Sequence, residues 1–349
     1  MQMYSNGAEI YPPNFQNIIS IVMSASEEYL PYTAVTISSI LRHGSKECHF
    51  DLIVLHQQCF SQEGINLLQQ VTNLWNNCTL RLLCVNRKME SYYVSGHVAT
   101  ETYVRLLLPE LLPNYDKVIY LDSDLVVLRD ISELWFLPVD RDIMLAGVAD
   151  LDVIGQYCGT EFSMRYYINH ILKLSQPEKY IQAGVLCFFL NAIRAQLNSE
   201  LLAWVAERSK LRYFDQDVLN AVCQKKIALL DCRWNVVSDC DNYRVSHIIS
   251  QTPKALFHAY MQSRQEPWIV HYSGYHKPWE FPQEDLSAYF KEEVQFAHLE
   301  PYVYKKRRNE EKTSSCKRWI NFFVPKQSIR RELIKCAYFH VKYHLEKSI

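Results

Sequence analysis

The chain begins with a regular alternation of short apolar runs and longer segments whose apolar residues recur at helical spacing. Strand-like runs occupy residues 18–23, 50–55, 80–85 and 117–121, and helix-like patterns occupy residues 32–41, 65–74 and 103–108. Parallel strands cannot be joined by tight turns and need crossover connections, for which helices are usual. The alternation therefore predicts an α/β fold with a mostly parallel central sheet flanked by helices. Two more apolar runs, 143–149 and 185–190, predict further strands, and Pro109 is expected to end the third helix.

Composition limits the classes of protein that remain. The chain has 349 residues, of which 48% are hydrophobic and 21% are charged, and these values are typical of a globular protein. Nine glycines are too few for collagen or for a Gly-rich repeat. The length allows two domains, or one large α/β domain with an appendage.

Charge is distributed unevenly along the chain. Residues 302–349 contain 13 Lys and Arg against 4 Asp and Glu, whereas residues 1–301 contain 24 against 34. We therefore divide the chain into a main domain, 1–300, and a basic, aromatic C-terminal segment, 301–349, which is expected to be helical. Basic and aromatic residues together are typical of surfaces that lie against anionic lipid headgroups, so an anionic membrane surface is the expected partner of residues 302–349. A solvated appendage packed on the body is the alternative, and the acidic body is not expected to bind nucleic acid.

The spacing of the cysteines and the length of the apolar runs indicate in which cellular compartment the protein is found. The 11 cysteines are odd in number and no pair is spaced CxxC, so they are expected to be reduced, buried thiols and not disulfides or zinc ligands. The chain does not open with a basic region followed by an apolar stretch, and its longest apolar run, Ala183–Leu190, is far shorter than a membrane span. We expect a cytoplasmic protein that associates peripherally with the inner face of the membrane.

Asp122-Ser123-Asp124 directly follows the strand-like run 117–121. In open α/β sheets, ligands bind beyond the carboxyl ends of the strands. Side chains two positions apart on an extended chain share a face, so the two carboxylates are expected to lie together and to suit a divalent cation such as Mn²⁺ or Mg²⁺. By itself, an acidic pair after a strand also fits a solvated loop or a helix cap.

A second polar cluster spans residues 271–279 and follows another short apolar run. His271 offers an imidazole to a metal ion, Gly274 allows close approach of the backbone, and Lys277 supplies positive charge for a phosphate. A lone histidine at this point would fit a structural role. Together with the acidic pair, it indicates a metal site.

A third cluster at residues 214–220 places Asp215, Gln216 and Asp217 ahead of an apolar helical pattern. Taken alone, Asp215 or Asp217 fits a helix N-cap.

In this order, the three clusters resemble family 8 of the glycosyltransferases, and in particular its bacterial lipopolysaccharide galactosyl- and glucosyltransferases. The resemblance covers residues 18–280 and rests on the segments 21–25, 103–106, 120–124, 182–185, 215–217 and 271–279, the last with the pattern HxxGxxKPW. It implies a GT-A type nucleotide-sugar transferase fold for the main domain. It also implies a retaining, Mn²⁺-dependent transfer of a hexose, galactose or glucose, from a UDP-sugar donor to a hydroxyl of a lipid-linked or surface-glycan acceptor.

The resemblance also assigns roles to individual positions. Asp122, Asp124 and His271 resemble the family's metal ligands, with Gly274 and Lys277 at the diphosphate. Asp215 and Gln216 resemble the residues beside the anomeric carbon. The remaining donor-site positions are Ala25 and Tyr29 at the uracil, and Arg105, Asp150 and Gln182 at the donor sugar.

Two positions depart from the family pattern. Ser26 stands where many members have an acidic residue near the base and ribose, and Gln182 replaces the asparagine of the family's Asn-Ala-Gly. Both departures bear on the choice of donor.

Alternative functions remain open at this point. Residues 122–126 also match the DxDx(T/V) motif of haloacid-dehalogenase-like phosphatases, although that motif normally ends the first strand and three strand-like runs precede it here. A non-catalytic membrane or glycan adaptor is a second alternative. A Rossmann dehydrogenase is disfavoured, because no GxGxxG follows the first strand-like run.

Overall fold

The computed structural model of the chain describes residues 1–4, 8–85, 100–159, 162–197, 201 and 211–304. Within these ranges the strands are β1 (Gln2–Tyr4), β2 (Ile18–Ser24), β3 (His49–His56), β4 (Cys78–Cys84), β5 (Val118–Leu121), β6 (Leu125–Val127), β7 (Leu145–Ala149), β8 (Ile181–Phe188), β9 (Ile227–Leu229), β10 (Val236–Val237) and β11 (Ile269–His271). The α-helices are α1 (Leu30–His43), α2 (Gln62–Thr72), α3 (Leu108–Leu111), α4 (Ser132–Trp135), α5 (Leu151–Cys158), α6 (Phe162–Tyr166), α7 (Leu190–Gln196), α8 (Phe214–Cys223), α9 (Arg244–His247), α10 (Lys254–Ser263), α11 (Ser287–Phe296) and α12 (Glu300–Val303).

The larger sheet has eight strands in the order β1-β4-β3-β2-β5-β8-β7-β9. Strands β1 to β5 pair in parallel, as do β7 and β9, whereas β8 runs antiparallel to β5 and β7. The α/β fold with a mostly parallel sheet and flanking helices that the sequence predicts is confirmed. Strand β8 is the antiparallel exception, and its direction is not encoded in an apolar run.

Both faces of the larger sheet are covered. In β2, Ile19, Ile21 and Met23 belong to the apolar core that also contains the buried residues of α1 and α2, whereas Val22 belongs to the core on the opposite face. Successive side chains of a strand point to opposite faces, so a strand buried on both sides needs a continuous apolar run. This is why these strands are visible in the sequence.

The smaller sheet has the order β10-β11-β6 and joins the larger one at the end of β5. Helix α1 fixes β6 in place, because Thr36 Oγ1 donates to Leu125 O at 2.8 Å and Ser39 Oγ accepts from Val127 N at 2.9 Å. Strand β11 pairs antiparallel with β6, and β10 pairs parallel with β11. Residues 225–279, which show no clear periodicity, thereby return to the sheet.

Two expectations from the sequence are wrong in detail. Pro109 does not end a helix: a 3₁₀ helix over Thr100–Leu107 leads directly into α3, and Pro109 occupies the first turn of α3, where a missing N–H costs no hydrogen bond. The nine described cysteines are free, but Cys59 and Cys158 are exposed and not buried.

The C-terminal helices of the described chain pack on the same side of the sheet as α1. Glu293 of α11 is 1% exposed and accepts hydrogen bonds from Ser38 Oγ at 2.5 Å and Arg42 Nη1 at 3.1 Å. Val303 of α12 is buried in the same core. Residues 305–349 lie outside the described residues, so the membrane-binding segment remains a prediction. None of the helices in the described ranges has the length and apolar character that crossing a bilayer requires.

Candidate active site

Asp122, Asp124 and His271, the acid–histidine cluster, come together where the two sheets meet. Asp122 directly follows β5 and Asp124 directly precedes β6. Residues 122–124, the acidic turn, therefore connect the larger sheet to the smaller one. His271 is the last residue of β11 and lies opposite Leu125 in the pairing with β6. One possible ligand atom from each of the three side chains lies within 4.8 Å of the others.

The imidazole of His271 reaches the acidic pair because Gly184 of β8 has no side chain. His271 Nε2 lies 3.4 Å from Asp124 Oδ1 and 3.7 Å from Asp122 Oδ2. A Cβ on Gly184 would lie 2.3 Å from His271 Cε1 and 2.9 Å from Asp122 Oδ2. Two carboxylates and one imidazole, gathered around one point, form a donor set that suits Mn²⁺ or a similar divalent cation.

Two cations balance the acidic pair. Lys277 Nζ donates to Asp124 Oδ2 at 2.6 Å and to Tyr272 O at 2.8 Å. Arg105 Nη2 donates to Asp122 Oδ1 at 2.9 Å, while its Nε lies 2.8 Å from Asp215 Oδ2. Arg105 therefore links the acid–histidine cluster to the start of α8.

Ionisation differs between the acids of the site. Burial by itself would raise the pKa of Asp124, but the charges of Lys277 and His271 outweigh burial and hold that pKa well below its usual range. Burial raises the pKa of Asp215 to about 7, with Arg105 opposing the rise and Asp122 adding to it. Asp124 is thus fully ionised at neutral pH, whereas Asp215 is close to its titration point.

Gln216, on α8, is held by three hydrogen bonds. Its Oε1 accepts from Ala183 N at 2.9 Å, and its Nε2 donates to Asp150 Oδ2 at 2.9 Å and to Tyr180 Oη at 3.2 Å. Asp150 also caps the first turn of α5 through Oδ1. Among the residues expected in the donor site, Asp150 therefore contacts Gln216, while Arg105 contacts the acidic pair.

Asp217 lies beneath Gln216 and is fully buried. Its carboxylate accepts from Tyr167 Oη at 2.6 Å, Tyr180 Oη at 2.7 Å and the backbone N of Tyr213 at 2.7 Å. The N-cap of α8 is Tyr213, so the alternative that Asp215 or Asp217 is the N-cap is wrong. Asp217 lies inside the helix and accepts from the N-cap backbone, whereas Asp215 faces Arg105. We call Asp150, Tyr167, Tyr180, Gln216 and Asp217 the amide–tyrosine network.

The residues expected at the uracil lie at the end of β2, on the same edge of the sheet. Ser123 Oγ donates to Ser24 O at 2.9 Å and so ties this end of β2 to the acidic turn. Ala25 is buried directly after β2, and Tyr29 is partly exposed. The ring of Tyr29 meets the ring of Trp279 edge-on at 6.1 Å, which brings the end of the HxxGxxKPW segment against the start of α1.

Gly274 has two reasons to be glycine. Its φ of +127° is one that other residues rarely adopt, and a Cβ there would lie 2.9 Å from Cys240 Sγ and 3.2 Å from Arg244 Nη2. Arg244 supports the turn, because it donates to Ser273 O at 3.0 Å and pairs with Asp152 at 2.9 Å.

A cavity of about 170 Å³ opens beside Gln216. Its polar lining includes Asp150, Gln182, Gln216, Asn235, Arg244 and Ser273. Asn235 and Arg244 were missed by sequence reasoning, because residues 225–279 show neither a clear period nor a motif that includes them. Asn235 ends a 3₁₀ helix, Cys232–Asn235, directly before β10.

The segments that suggested a family from the sequence thus meet at one edge of the sheet. A sequence profile described as "Glycosyl transferase family 8" matches residues 20–282. The chain belongs to glycosyl transferase family 8. As a member of this family it is not a haloacid-dehalogenase-like phosphatase or a Rossmann dehydrogenase, and Asp122 follows β5 and not the first strand of its sheet.

Curated relatives of this family 8 glycosyltransferase include bacterial and plant proteins at 23–27% identity. A lipopolysaccharide 1,2-glucosyltransferase of Escherichia coli is 23% identical over 259 residues, which are 72% of this chain and 70% of the relative. A Haemophilus influenzae relative is 24% identical over 223 residues, 62% of this chain and 63% of the relative. The match therefore spans less than two thirds of the length of the Haemophilus influenzae relative.

Solved structures agree with a GT-A fold. The apo structure of the bifunctional glycosyltransferase WbbM superposes with a TM-score of 0.75 at 27% identity and covers 87% of this chain but 54% of WbbM. The galactosyltransferase LgtC, in complex with donor and acceptor sugar analogues, has a TM-score of 0.63 at 22% identity and covers 80% of this chain and 95% of LgtC. The second likeness concerns the fold alone.

Proposed function

We propose that this family 8 glycosyltransferase is a retaining hexosyltransferase. It moves galactose or glucose from a UDP-sugar to a hydroxyl of a lipid-linked or surface-glycan acceptor and uses Mn²⁺ or Mg²⁺ held by Asp122, Asp124 and His271. The convergence of these three side chains, with Lys277 directly beside them, is the observation that carries the proposal.

The acid–histidine cluster and Lys277 are suited to a nucleoside diphosphate. The chemistry that a bound divalent cation supplies is Lewis-acid stabilisation of the negative charge that develops on the leaving diphosphate. Lys277 is 15% exposed and adds a positive charge beside the same site. Gly274, whose positive φ shapes the turn between His271 and Lys277, is the backbone position that we assign to the diphosphate. Ala25 and Tyr29 bind the uracil in this proposal.

Asp215 and Gln216 act on the sugar. The bond between the anomeric carbon and the diphosphate oxygen breaks, which leaves positive charge on the ring, and the Asp215 carboxylate with the Gln216 dipole stabilises that charge. Arg105, Asp150 and Gln182 hold the sugar or the residues that touch it.

The arrangement around Gln216 favours attack on the same face from which the diphosphate leaves. Retention needs either this route or a covalent intermediate. Gln216 is a neutral amide whose oxygen already accepts the Ala183 N–H, which makes it a poor nucleophile. The acceptor oxygen therefore bonds directly to the anomeric carbon, and its proton passes to the leaving diphosphate oxygen.

The acceptor class is proposed from the relatives, and the location from the composition of the C-terminal segment 302–349. The Escherichia coli relative is a lipopolysaccharide glucosyltransferase, and LgtC was solved with an acceptor sugar analogue, so a surface glycan is the proposed acceptor. A lipid-linked acceptor lies at a membrane, and the basic segment 302–349 would bring the enzyme there from the cytoplasm.

A donor screen tests the proposed function. The purified chain is incubated with Mn²⁺ and each common UDP-sugar, and release of UDP is measured with and without glycan acceptors. UDP-galactose or UDP-glucose is expected to react, and NMR of the product should show the anomeric configuration of the donor. Absence of turnover with every UDP-sugar would favour the non-catalytic adaptor, and an inverted product would refute retention.

The membrane proposal has its own test in the full chain. Replacing Lys305, Lys306, Arg307 and Arg308 by glutamine should weaken co-sedimentation with anionic vesicles, because each basic residue near such a surface contributes about 1 kcal/mol. Wild-type binding should weaken with salt, while UDP release stays unchanged in the variant. Equal sedimentation of the wild type and the variant would favour the alternative, in which the C-terminal segment is a solvated appendage packed on the body.

A further inference from the structure

We propose that Gln182 and Asn235 are positioning residues that fix the tautomer of His271. Asn235 is 2% exposed and lies between the other two side chains. Its Nδ2 is 2.6 Å from Gln182 Oε1, and its Oδ1 is 3.0 Å from His271 Nδ1. The inference rests on the proposed function for the identity of His271 as a metal ligand, but the hydrogen bonds themselves are independent of it.

The direction of each hydrogen bond follows from a backbone group. Gly184 N lies 2.6 Å from the Gln182 side chain, and a backbone N–H can only donate, so the Gln182 atom there is the carbonyl oxygen. That same oxygen is 2.6 Å from Asn235, which must therefore present its NH₂ group to it. An asparagine whose nitrogen faces Gln182 presents its oxygen to His271.

The oxygen of Asn235 requires a donor on His271. With Nδ1 as the donor to Asn235, Nε2 is the nitrogen whose lone pair becomes available to a metal ion when the ring is neutral. Nε2 is the atom that lies 3.4 Å from Asp124 and 3.7 Å from Asp122. The chain of bonds from Gly184 through Gln182 and Asn235 thus directs Nε2 of His271, the nitrogen left for a metal ion, toward the acidic pair. Metal-bound histidines generally donate their second ring N–H to such a partner.

This arrangement gives a reason for one departure from the family pattern. Gln182 stands where the family has asparagine, and its longer side chain accepts from Gly184, two residues away, and from Asn235, 53 residues away. Gln182 also lines the cavity beside Gln216. The same carboxamide therefore connects the sugar side of the site to the orientation of the metal ligand.

The tautomer is measured in the metal-free protein without any donor. ¹⁵N NMR of histidine-labelled chain, recorded at a pH high enough for the imidazole to be neutral and with His271 assigned by its loss in His271→Gln, should show protonated Nδ1 and unprotonated Nε2. Asn235→Ala should give a mixture of tautomers, whereas Asn235→Asp, which keeps an oxygen toward Nδ1, should retain the wild-type one. Asn77→Ala is the matched control, because its carboxamide bonds to the backbone at Ser45 and Cys48.

Direct Mn²⁺ binding is the second readout, measured by calorimetry on the full chain. Loss of an outer partner of a metal-binding histidine typically costs 10–100-fold in affinity, and we expect a loss of this order for Asn235→Ala. Gln182 is only half-buried, so Gln182→Leu provides a second variant if Asn235→Ala does not fold. Gln182→Leu should mix the tautomers, and Gln182→Glu, which can still accept both bonds, should not.

The outcomes separate this inference from the proposed function. A wild-type tautomer together with unchanged Mn²⁺ affinity in Asn235→Ala and Gln182→Leu would overturn the positioning role. If the tautomer responds as expected but no UDP-sugar is turned over, the positioning role stands and the proposed function fails.

Discussion

The two halves of the site are built on opposite electrostatic principles. In the acid–histidine cluster, two carboxylates share a small volume, and Lys277 and Arg105 offset their charges. In the amide–tyrosine network, Gln216 and Asp217 are each held by three hydrogen bonds from within the chain. The acid–histidine cluster concentrates charged groups in one place, whereas the polar groups of the amide–tyrosine network are hydrogen-bonded to one another and to the backbone.

This difference predicts which property each half contributes. A cluster of like charges is expected to contribute less to the stability of the fold than to the binding of a ligand. A buried network that is fully hydrogen-bonded makes the structure rigid, and it becomes costly when one member is lost. Substitutions in the cluster should therefore remove ligand binding, and substitutions in the network should remove stability.

The largest expected effect is that of Asp124→Asn on ligand binding. In the wild type, UDP at a hundredfold excess over its dissociation constant, with Mn²⁺, should stabilise the fold by about 2.7 kcal/mol. Asp124→Asn should abolish this gain, since it removes a proposed metal ligand and the partner of Lys277. Differential scanning fluorimetry measures the shift, with the exposed Asp142→Asn as control.

If UDP alone stabilises the wild type and Asp124→Asn equally, the acid–histidine cluster is not the metal site, and the contrast between the two halves is wrong. The contrast is sharpened if Asp124→Asn, without ligand, lowers the free energy of unfolding by less than Asp217→Asn does. Some loss is expected, because the low pKa of Asp124 means that Lys277 and His271 stabilise its charge in the fold.

Asp217→Asn should have the largest effect on stability. The carboxylate accepts three hydrogen bonds, and an amide can replace it at only one of its two oxygens. Hydrogen bonds to a charged group contribute about 1.5–3 kcal/mol each, so we expect the free energy of unfolding to fall by about 3 kcal/mol. Urea denaturation measures it, and a Mn²⁺ affinity that fell in parallel would contradict the separation of the two halves.

Asp150 should make stability depend on pH. Burial, with a contribution from the charge of Asp152, raises the pKa of Asp150 to about 6, above its value near 3.8 in the unfolded chain. The folded state therefore binds the proton more tightly, and this contribution to stability is complete below about pH 4 and lost as pH rises to about 6.

The change over this window should be about 2 kcal/mol, given the size of the pKa rise. Asp150→Asn keeps a capping oxygen for α5 but does not titrate, so urea denaturation across pH 4 to 7 should show a smaller fall for the variant. Parallel curves for both proteins would show that Asp150 ionises normally in the fold.

Tyr180→Phe should have the smallest effect. It removes one hydrogen bond to Asp217 and one of the three that hold Gln216, and the other bonds of both residues remain, so we expect a cost of about 1.5 kcal/mol, the lower end of the range for a hydrogen bond to a charged group. Because Gln216 becomes less restrained, kcat should fall while KM for the donor stays nearly constant. Tyr115→Phe is the matched control: it removes a buried hydrogen bond to Asp51, far along the sheet, and should lower stability without lowering kcat.

Much of the fold was predictable because each signal is local. The inner strands of the larger sheet are buried on both faces and therefore appear as largely apolar runs, whereas the edge strands β1 and β9 are partly exposed and gave no such signal. The acidic turn was predictable for the same reason, since Asp122 and Asp124 sit at the end of such a run. The histidine of 271–279 was singled out by its residue type beside the acidic pair, and the glycine of 182–185 was recognised by resemblance. Both signals indicate a position in the chain without giving contacts.

The sequence by itself determined the α/β architecture and the residues that bear charge at the site, because periodicity and residue type act over a few positions. Tertiary structure alone decided the antiparallel direction of β8, the pairing that carries His271 to the acidic turn, and the contacts of Asn235. His271 lies 36 residues from Asn235 in the chain, and Asn235 lies 53 residues from Gln182. Hydrogen bonds over such separations depend on how the strands are arranged in space, and no local pattern specifies that arrangement.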